Sequence, residues 1–230
     1  MATKKGCISG IATYFGCAMS ENTQVVTVLN GDLVNSTALG AEKVEMAFER
    51  LQKVAKDLEA WHGGSLLFTR HRGDGWQVVL REPRYALRSV LAFRARLRSY
   101  GPEFDTYIGV GTGPASILES PNLNEYTDKA FELSGAALET AKNATMDMKL
   151  ASWGNREFCS MLSLADYMSA SWTATQSATM YQMLVTSSGA KFTKVAKKLG
   201  KSRQAVAKSV EGAGYPYLFS ALHFQEHQND

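Results

Sequence analysis

At 230 residues the chain can hold one medium domain and a small one, and a 45% apolar content excludes a disordered polypeptide. A formal net charge of +3 excludes a global polycation, so affinity for nucleic acid would need a local patch. No apolar run reaches the ~18 residues that mark a membrane-spanning helix, and Cys7, Cys17 and Cys159 lack metal or disulfide spacing, as suits a reducing cytoplasm.

Residues 1–24 are expected to be a flexible leader. Lys4-Lys5 before residues 6–18 has the faint outline of a signal peptide, but Gly, Ser and Thr dilute it, and Met19 is an alternative start. Residues 25–30, apolar and β-branched, predict a buried strand. Val44, Phe48, Leu51, Val54, Leu58 and Trp61 recur at three- and four-residue steps, which predicts a helix over 41–61 that ends at Gly63-Gly64. Residues 65–70 and 76–80 predict a hairpin across Arg72-Gly73-Asp74-Gly75. Pro83 opens a helix to Tyr100, stopped by Gly101-Pro102. A strand at 106–110, a loop at 119–124, a helix at 128–143 with Phe131, Leu133, Ala137 and Leu138 inward, and a strand at 148–152 complete the unit. This order predicts an α+β, ferredoxin-like domain over 25–154, with helices on one face of a mostly antiparallel sheet. Residues 155–188 are expected to be a helical linker, and 189–230 a small all-α module.

Two acids stand in distinctive surroundings. Asp32 ends a strand in Val28-Leu29-Asn30-Gly31-Asp32-Leu33-Val34-Asn35-Ser36-Thr37, and Asp74 tips the hairpin in Arg70-His71-Arg72-Gly73-Asp74-Gly75-Trp76. Carboxylates on neighbouring strand ends can hold divalent cations against a triphosphate. With Tyr107-Ile108-Gly109-Val110-Gly111-Thr112-Gly113-Pro114, whose Gly-x-x-x-Gly-Pro is expected to be a turn, these segments resemble, in order, the motifs of class III nucleotidyl cyclases. The resemblance covers residues 25–153. It implies a cyclase sheet and a Mg²⁺- or Mn²⁺-dependent enzyme that makes a 3′,5′-cyclic nucleotide and pyrophosphate. It also implies a homodimer with the site at its interface.

Carried onto this chain, the resemblance makes Asp32 and Asp74 catalytic and Asp32, Leu33 and Asp74 metal-binding. Leu33, Val34, Asn35, Ser36, Thr37, Arg70 and Arg72 become nucleotide-binding, with backbone N–H groups of residues 33–36 on the phosphates. Arg70 stands where family members carry a base-reading lysine. Its donor-only fork suits a base with carbonyl acceptors, uracil or guanine, better than adenine, and with the similarity to the pyrimidine cyclases of bacterial anti-phage (Pycsar-type) systems this makes UTP the favoured substrate. The family's Asn and Arg that steady the transition state have no counterpart in residues 130–139, and Arg70, Arg72 or Lys129 are the candidate substitutes.

Residues 191–208 resemble a helix-turn-helix, with Ala196 at the helix crossing, Gly200 in the turn, Ser202 as N-cap and Val206 packing back. Arg203 and Gln204 would face base edges, and Lys194, Lys198, Lys201 and Lys208 phosphates. The alternative function is therefore a DNA-binding regulator with a degenerate nucleotide-sensing domain. His223 and His227 are expected to be surface residues rather than metal ligands. Gly109 to Gly113 lacks the helix start of a dinucleotide fingerprint. Trp76 is expected to pack in the hairpin rather than stack a base.

Overall fold

A computed structural model describes residues 23–71, 73–116, 120–187 and 190–227. In chain order the elements are β1 (Thr23–Leu33), α1 (Ser36–Leu39), α2 (Ala41–His62), β2 (Phe68–Arg70), β3 (Gly75–Leu80), α3 (Ala86–Arg98) and β4 (Thr106–Ser116). Then follow α4 (Lys129–Lys142), β5 (Leu150–Trp153), α5 (Arg156–Ala170), α6 (Ala174–Val185), α7 (Phe192–Leu199), α8 (Arg203–Gly212) and α9 (Tyr215–Glu226). A 3-10 turn over Pro83–Tyr85 precedes α3. The leader expected at residues 1–24 lies outside the described residues except for Thr23 and Gln24, which belong to β1.

The sheet order is β2-β3-β1-β4-β5. β1 is antiparallel to both β3 and β4, β2 is antiparallel to β3, and β5 joins β4 in parallel. The first four strands, with α2 and α3 as crossovers, make the ferredoxin-like βαββαβ unit that the element order predicts. Strand periodicity sorts side chains between the two faces. Leu29, Leu33, Val78, Ile108 and Val110 join α2 and α3 in the main core, while Val26, Val28, Val79 and Ala115 join Ala130 and Phe131 of α4. Helices therefore cover both faces, because α4 lies on the side away from α2 and α3.

The segment Gly109 to Pro114 is not a turn. It continues β4 in register with β1, pairing Gly109 with Asn30 and Pro114 with Val25. Its glycines serve packing. A Cβ at Gly109 would come 2.2 Å from the Leu138 backbone N, and one at Gly111 2.3 Å from the Ser134 backbone N. The α4 backbone thus rests directly on β4. Gly111→Val is expected to lift α4 off the sheet and destabilise the chain by about 3 kcal/mol or more, in the range of severe core overpacking. A urea melt checks this, and an unchanged midpoint would refute it. On α4, Leu133 is only half-buried and Ser134 takes the inward place.

Residues 155–188 are not a linker. Leu162 and Ala165 of α5, Trp172, and Met180, Tyr181 and Leu184 of α6 belong to the main core. So do Leu218 and Leu222 of α9, whose Gln225 Oε1 accepts from the Leu87 N–H at 3.0 Å. The C-terminal helices therefore enclose α3, whose apolar residues are buried all round. α7 and α8 pack on α6 through Met183, Val195, Ala196, Val206 and Val210. Gly200 joins them in the left-handed conformation, φ 63°, and the Ser202 side chain caps α8 by accepting from the Ala205 N–H at 3.1 Å.

A buried ionic network knits the layers. Arg94, 1% exposed, donates to both carboxylate oxygens of Asp105 (3.0 and 3.1 Å) and to Asp166 Oδ1 (2.5 Å). Asp166 Oδ2 accepts from the Lys149 N–H at 2.8 Å, and the Asp105 carbonyl accepts from the Val34 N–H at 3.0 Å. α3, α5 and the edges of β4 and β5 are thereby tied to the loop after β1.

Candidate active site

Asp32 lies one residue before the end of β1, between Gly75 of β3 and Tyr107 of β4. It shares the α4 face with Asn30. Across the strand gap the Leu33 N–H donates to the Asp74 carbonyl at 3.2 Å, which holds the hairpin tip against the end of β1. The two acids line one cavity, and each bears on the titration of the other. The convergence expected of Asp32 and Asp74 is thus a matter of register and one main-chain hydrogen bond.

Three polar neighbours set their charge. Lys142 Nζ, from the last turn of α4, donates to Asp32 Oδ2 at 2.5 Å. Ser36 Oγ donates to Asp74 Oδ2. Burial, with the Asp74 carboxylate adding to it, raises the Asp32 pKa above the usual range despite Lys142. At Asp74 burial acts upward but is outweighed by hydrogen bonds from Ser36 and Asp32, so its pKa is lowered.

Asn35 turns the chain after β1 with φ 52°, a left-handed conformation that asparagine tolerates, and Ser36 starts α1. The N–H groups of Leu33 and Val34 are spent on Asp74 and Asp105, so they are not available to phosphates as expected. Those of Ser36 and Thr37 open α1, where no intrahelical acceptor exists. Leu33 itself is buried, with its side chain in the main core.

Arg70 departs from expectation. It pairs in register with Trp76, so its side chain shares the α2 face, opposite Asp32. Its guanidinium lies 4.0 Å from the Phe48 ring centroid and pairs with Glu45 at 2.6 Å. The base-reading role and the UTP preference built on it lose their geometric basis. Arg72 lies outside the described residues. Lys129 pairs with Glu132 at 3.0 Å rather than facing the acids. Trp76 is fully buried, stacked on Phe93 with ring centroids 4.9 Å apart, as a core aromatic.

The cation beside the acids is Lys142, which the sequence reading did not select. Leu138 and Glu139 each lie three or four residues from both Gly135 and Lys142, so helical periodicity could have placed all four on one stripe of α4. That stripe faces Asn30, Asp32 and the hairpin across a cavity of about 440 Å³.

The basic residues of the C-terminal unit are on the surface. Lys194, Lys198, Arg203, Gln204 and Lys208 are exposed and Lys201 is half-buried. His223 and His227 stack on each other with ring centroids 4.2 Å apart. Among the described residues no three His, Cys, Asp or Glu gather as a metal cluster, and no helix is long and apolar enough to cross a membrane.

No family model and no curated protein sequence matches the chain. Among solved structures it is similar to the active GGEEF domain of a diguanylate cyclase from Vibrio cholerae. That similarity has 17% identity and a TM-score of 0.39, and covers 58% of this chain and 85% of the other. It is also similar to a bacterial light-regulated adenylyl cyclase, at 14% identity and a TM-score of 0.40, covering 57% of this chain and 44% of that one.

One titration follows from the paired acids. A divalent ion needs both carboxylates unprotonated, so Mn²⁺ affinity is expected to hold at neutral pH and fall in acid, as Asp32 takes up its proton. Lys142 favours the ionised form of Asp32, so Lys142→Met should move that fall to higher pH. Isothermal titration across a pH series measures both limbs. An unmoved midpoint in Lys142→Met would refute the coupling.

Proposed function

We propose that the domain binds a divalent-metal complex of a nucleoside triphosphate at Asp32 and Asp74 and cyclises it, releasing pyrophosphate. The observation that carries this reading is the convergence of the two carboxylates from separate strands, beside Lys142 and the start of α1. The residues fit a hard cation. They offer carboxylate oxygens close together, and with only two acids a substrate must supply the remaining ligands, as Mg²⁺ sites with phosphates do. When bound, the metal would polarise the phosphates and acidify the ribose 3′-hydroxyl.

The chain's own groups have separate tasks. Asp32 and Asp74 hold the ion, and Ser36 orients Asp74. Lys142, once a metal competes for Asp32, is free to pair with the phosphates, a charge-stabilising role that residues 130–139 otherwise leave unfilled. The 3′-oxygen attacks the α-phosphorus, and the bond to the β-phosphate oxygen breaks. A homodimer is part of this reading. Incubation with each of the four triphosphates and Mn²⁺, followed by mass spectrometry, tests it, and no cyclic monophosphate from any of them would end it.

A further contact is inferred for the C-terminal unit. The exposed cations on α7 and α8, with Arg203 and Gln204 at the start of α8, suit a nucleic-acid backbone. Lys198→Ala with Arg203→Ala is expected to weaken duplex DNA binding at least ~tenfold and flatten its salt dependence by about two. Retention of full affinity in a filter-binding assay would refute it.

A further inference from the structure

The paired acids line a cavity bounded by β1, the hairpin and α4. Its volume, about 440 Å³, is that of a small-molecule site. Three observations concern what it could hold.

The first is unused hydrogen-bonding capacity. Asn30 is half-buried on the α4 face two residues before Asp32, and its carboxamide makes no hydrogen bond among the described residues. Its register partner Gln77, 9% exposed on the same face, has a buried Oε1 with no partner. Asn30 lines the cavity, so its unpartnered carboxamide can meet a polar ligand there.

The second is His71. It follows Arg70 and so faces the opposite side of the sheet, next to Gly75, where it lines the cavity. Its Nδ1 is hydrogen-bonded to the Asn124 side-chain oxygen, which orients the ring and leaves Nε2 for a ligand.

The third is Gly135, the only glycine within α4. A helix-interior glycine is unfavourable by about 1 kcal/mol relative to alanine. Gly109 and Gly111 have backbone pressed against them, but a Cβ at Gly135 would meet nothing closer than Asn30 Nδ2 at 3.9 Å. Space, not packing, is what this glycine provides.

We propose that this cavity receives the nucleoside part of the triphosphate, with Asn30 and His71 as its polar contacts and Gly135 keeping the space open. Base recognition then comes from the chain that supplies the metal acids. The inference rests on the assignment of Asp32 and Asp74 to a metal-bound triphosphate, and its test separates the two.

Isothermal titration with Mn²⁺ would compare inorganic triphosphate with the four 3′-deoxynucleoside triphosphates, which lack the attacking hydroxyl. The full chain should bind at least one of the four more tightly than inorganic triphosphate. Asn30→Ala, His71→Ala and Gly135→Leu should each weaken that binding roughly tenfold and leave inorganic triphosphate unchanged. Gly135→Leu should also fold at least as stably as the parent, since leucine is the better helix former, which separates a filled cavity from a damaged helix. Variants that bind both ligands as the parent does would overturn the nucleoside assignment and leave the metal reading intact. Failure of the parent to bind inorganic triphosphate, with nucleotide binding still sensitive to the three variants, would sink the metal reading alone. If neither ligand binds, both fall.

Discussion

Asp74→Ala is expected to abolish turnover and to erase any stabilisation of the chain by Mn²⁺ and a triphosphate. Asp74 Oδ2 is oriented by Ser36, and its backbone carbonyl is pinned by the Leu33 N–H, so the substitution removes the carboxylate proposed to hold the metal while leaving the main-chain link intact. Loss of metal-borne charge stabilisation is worth several kcal/mol, or roughly a thousandfold or more in rate. At a hundredfold excess over Kd, a ligand stabilises the folded chain by about 2.7 kcal/mol, and the variant should show none of it. Asp32→Asn should likewise lose metal and turnover yet melt no lower than the parent at neutral pH. Burial and Asp74 raise the pKa of Asp32 in the folded chain, so its charge costs stability above that pKa, and a neutral isostere escapes the cost. Thermal melts with and without Mn²⁺ decide both. A parent-like response in Asp74→Ala would mean that the triphosphate binds elsewhere.

The largest effect on stability is expected at Arg94. Arg94→Met would leave buried Asp166 without a cation and buried Asp105 with Arg98 alone, at 2.8 Å. Breaking a buried ion pair from one side costs about 3–5 kcal/mol. A chain of this size loses about 2–4 °C of Tm per kcal/mol, so a fall of roughly 10 °C is expected by calorimetry. The effect should reach the active site, because the Asp105 carbonyl holds the Val34 N–H beside the turn into α1. Mn²⁺ binding in the variant should weaken even where the chain remains folded. A Tm within a degree or two of the parent would show the network to be energetically silent.

Sequence patterning carried the ferredoxin-like unit well, because its elements are local. The 3.6-residue repeat of α2 and the hairpin turn each depend on neighbours in the chain. The placement of Asp32 at a strand end and of Asp74 at a hairpin tip was legible for the same reason, since both are local features. What failed depended on register and tertiary contact. Arg70 sits one residue before a cavity-lining histidine, and which of the two faces the acids is decided only by pairing with Trp76. Gly109 to Pro114 has the composition of a turn, yet close approach of α4 makes glycine a packing residue there. Lys142 is 110 residues from Asp32 in sequence, and no local signal links them. The helices after β5 look like a linker from their own composition, and only the second apolar side of α3, which they bury, explains why they fold back.

Trp76 offers a way to watch this site. Its indole lies against Gly31, where a Cβ would come 2.1 Å from the ring, and its Nε1 donates to Thr106 Oγ1 at 3.1 Å. That hydroxyl in turn donates to the Asp32 carbonyl at 2.9 Å. The ring is thus a fluorophore wired through one hydroxyl to the main chain of Asp32. With Trp61, Trp153 and Trp172 replaced by phenylalanine, its emission would report ligand-driven movement of the strand end in real time.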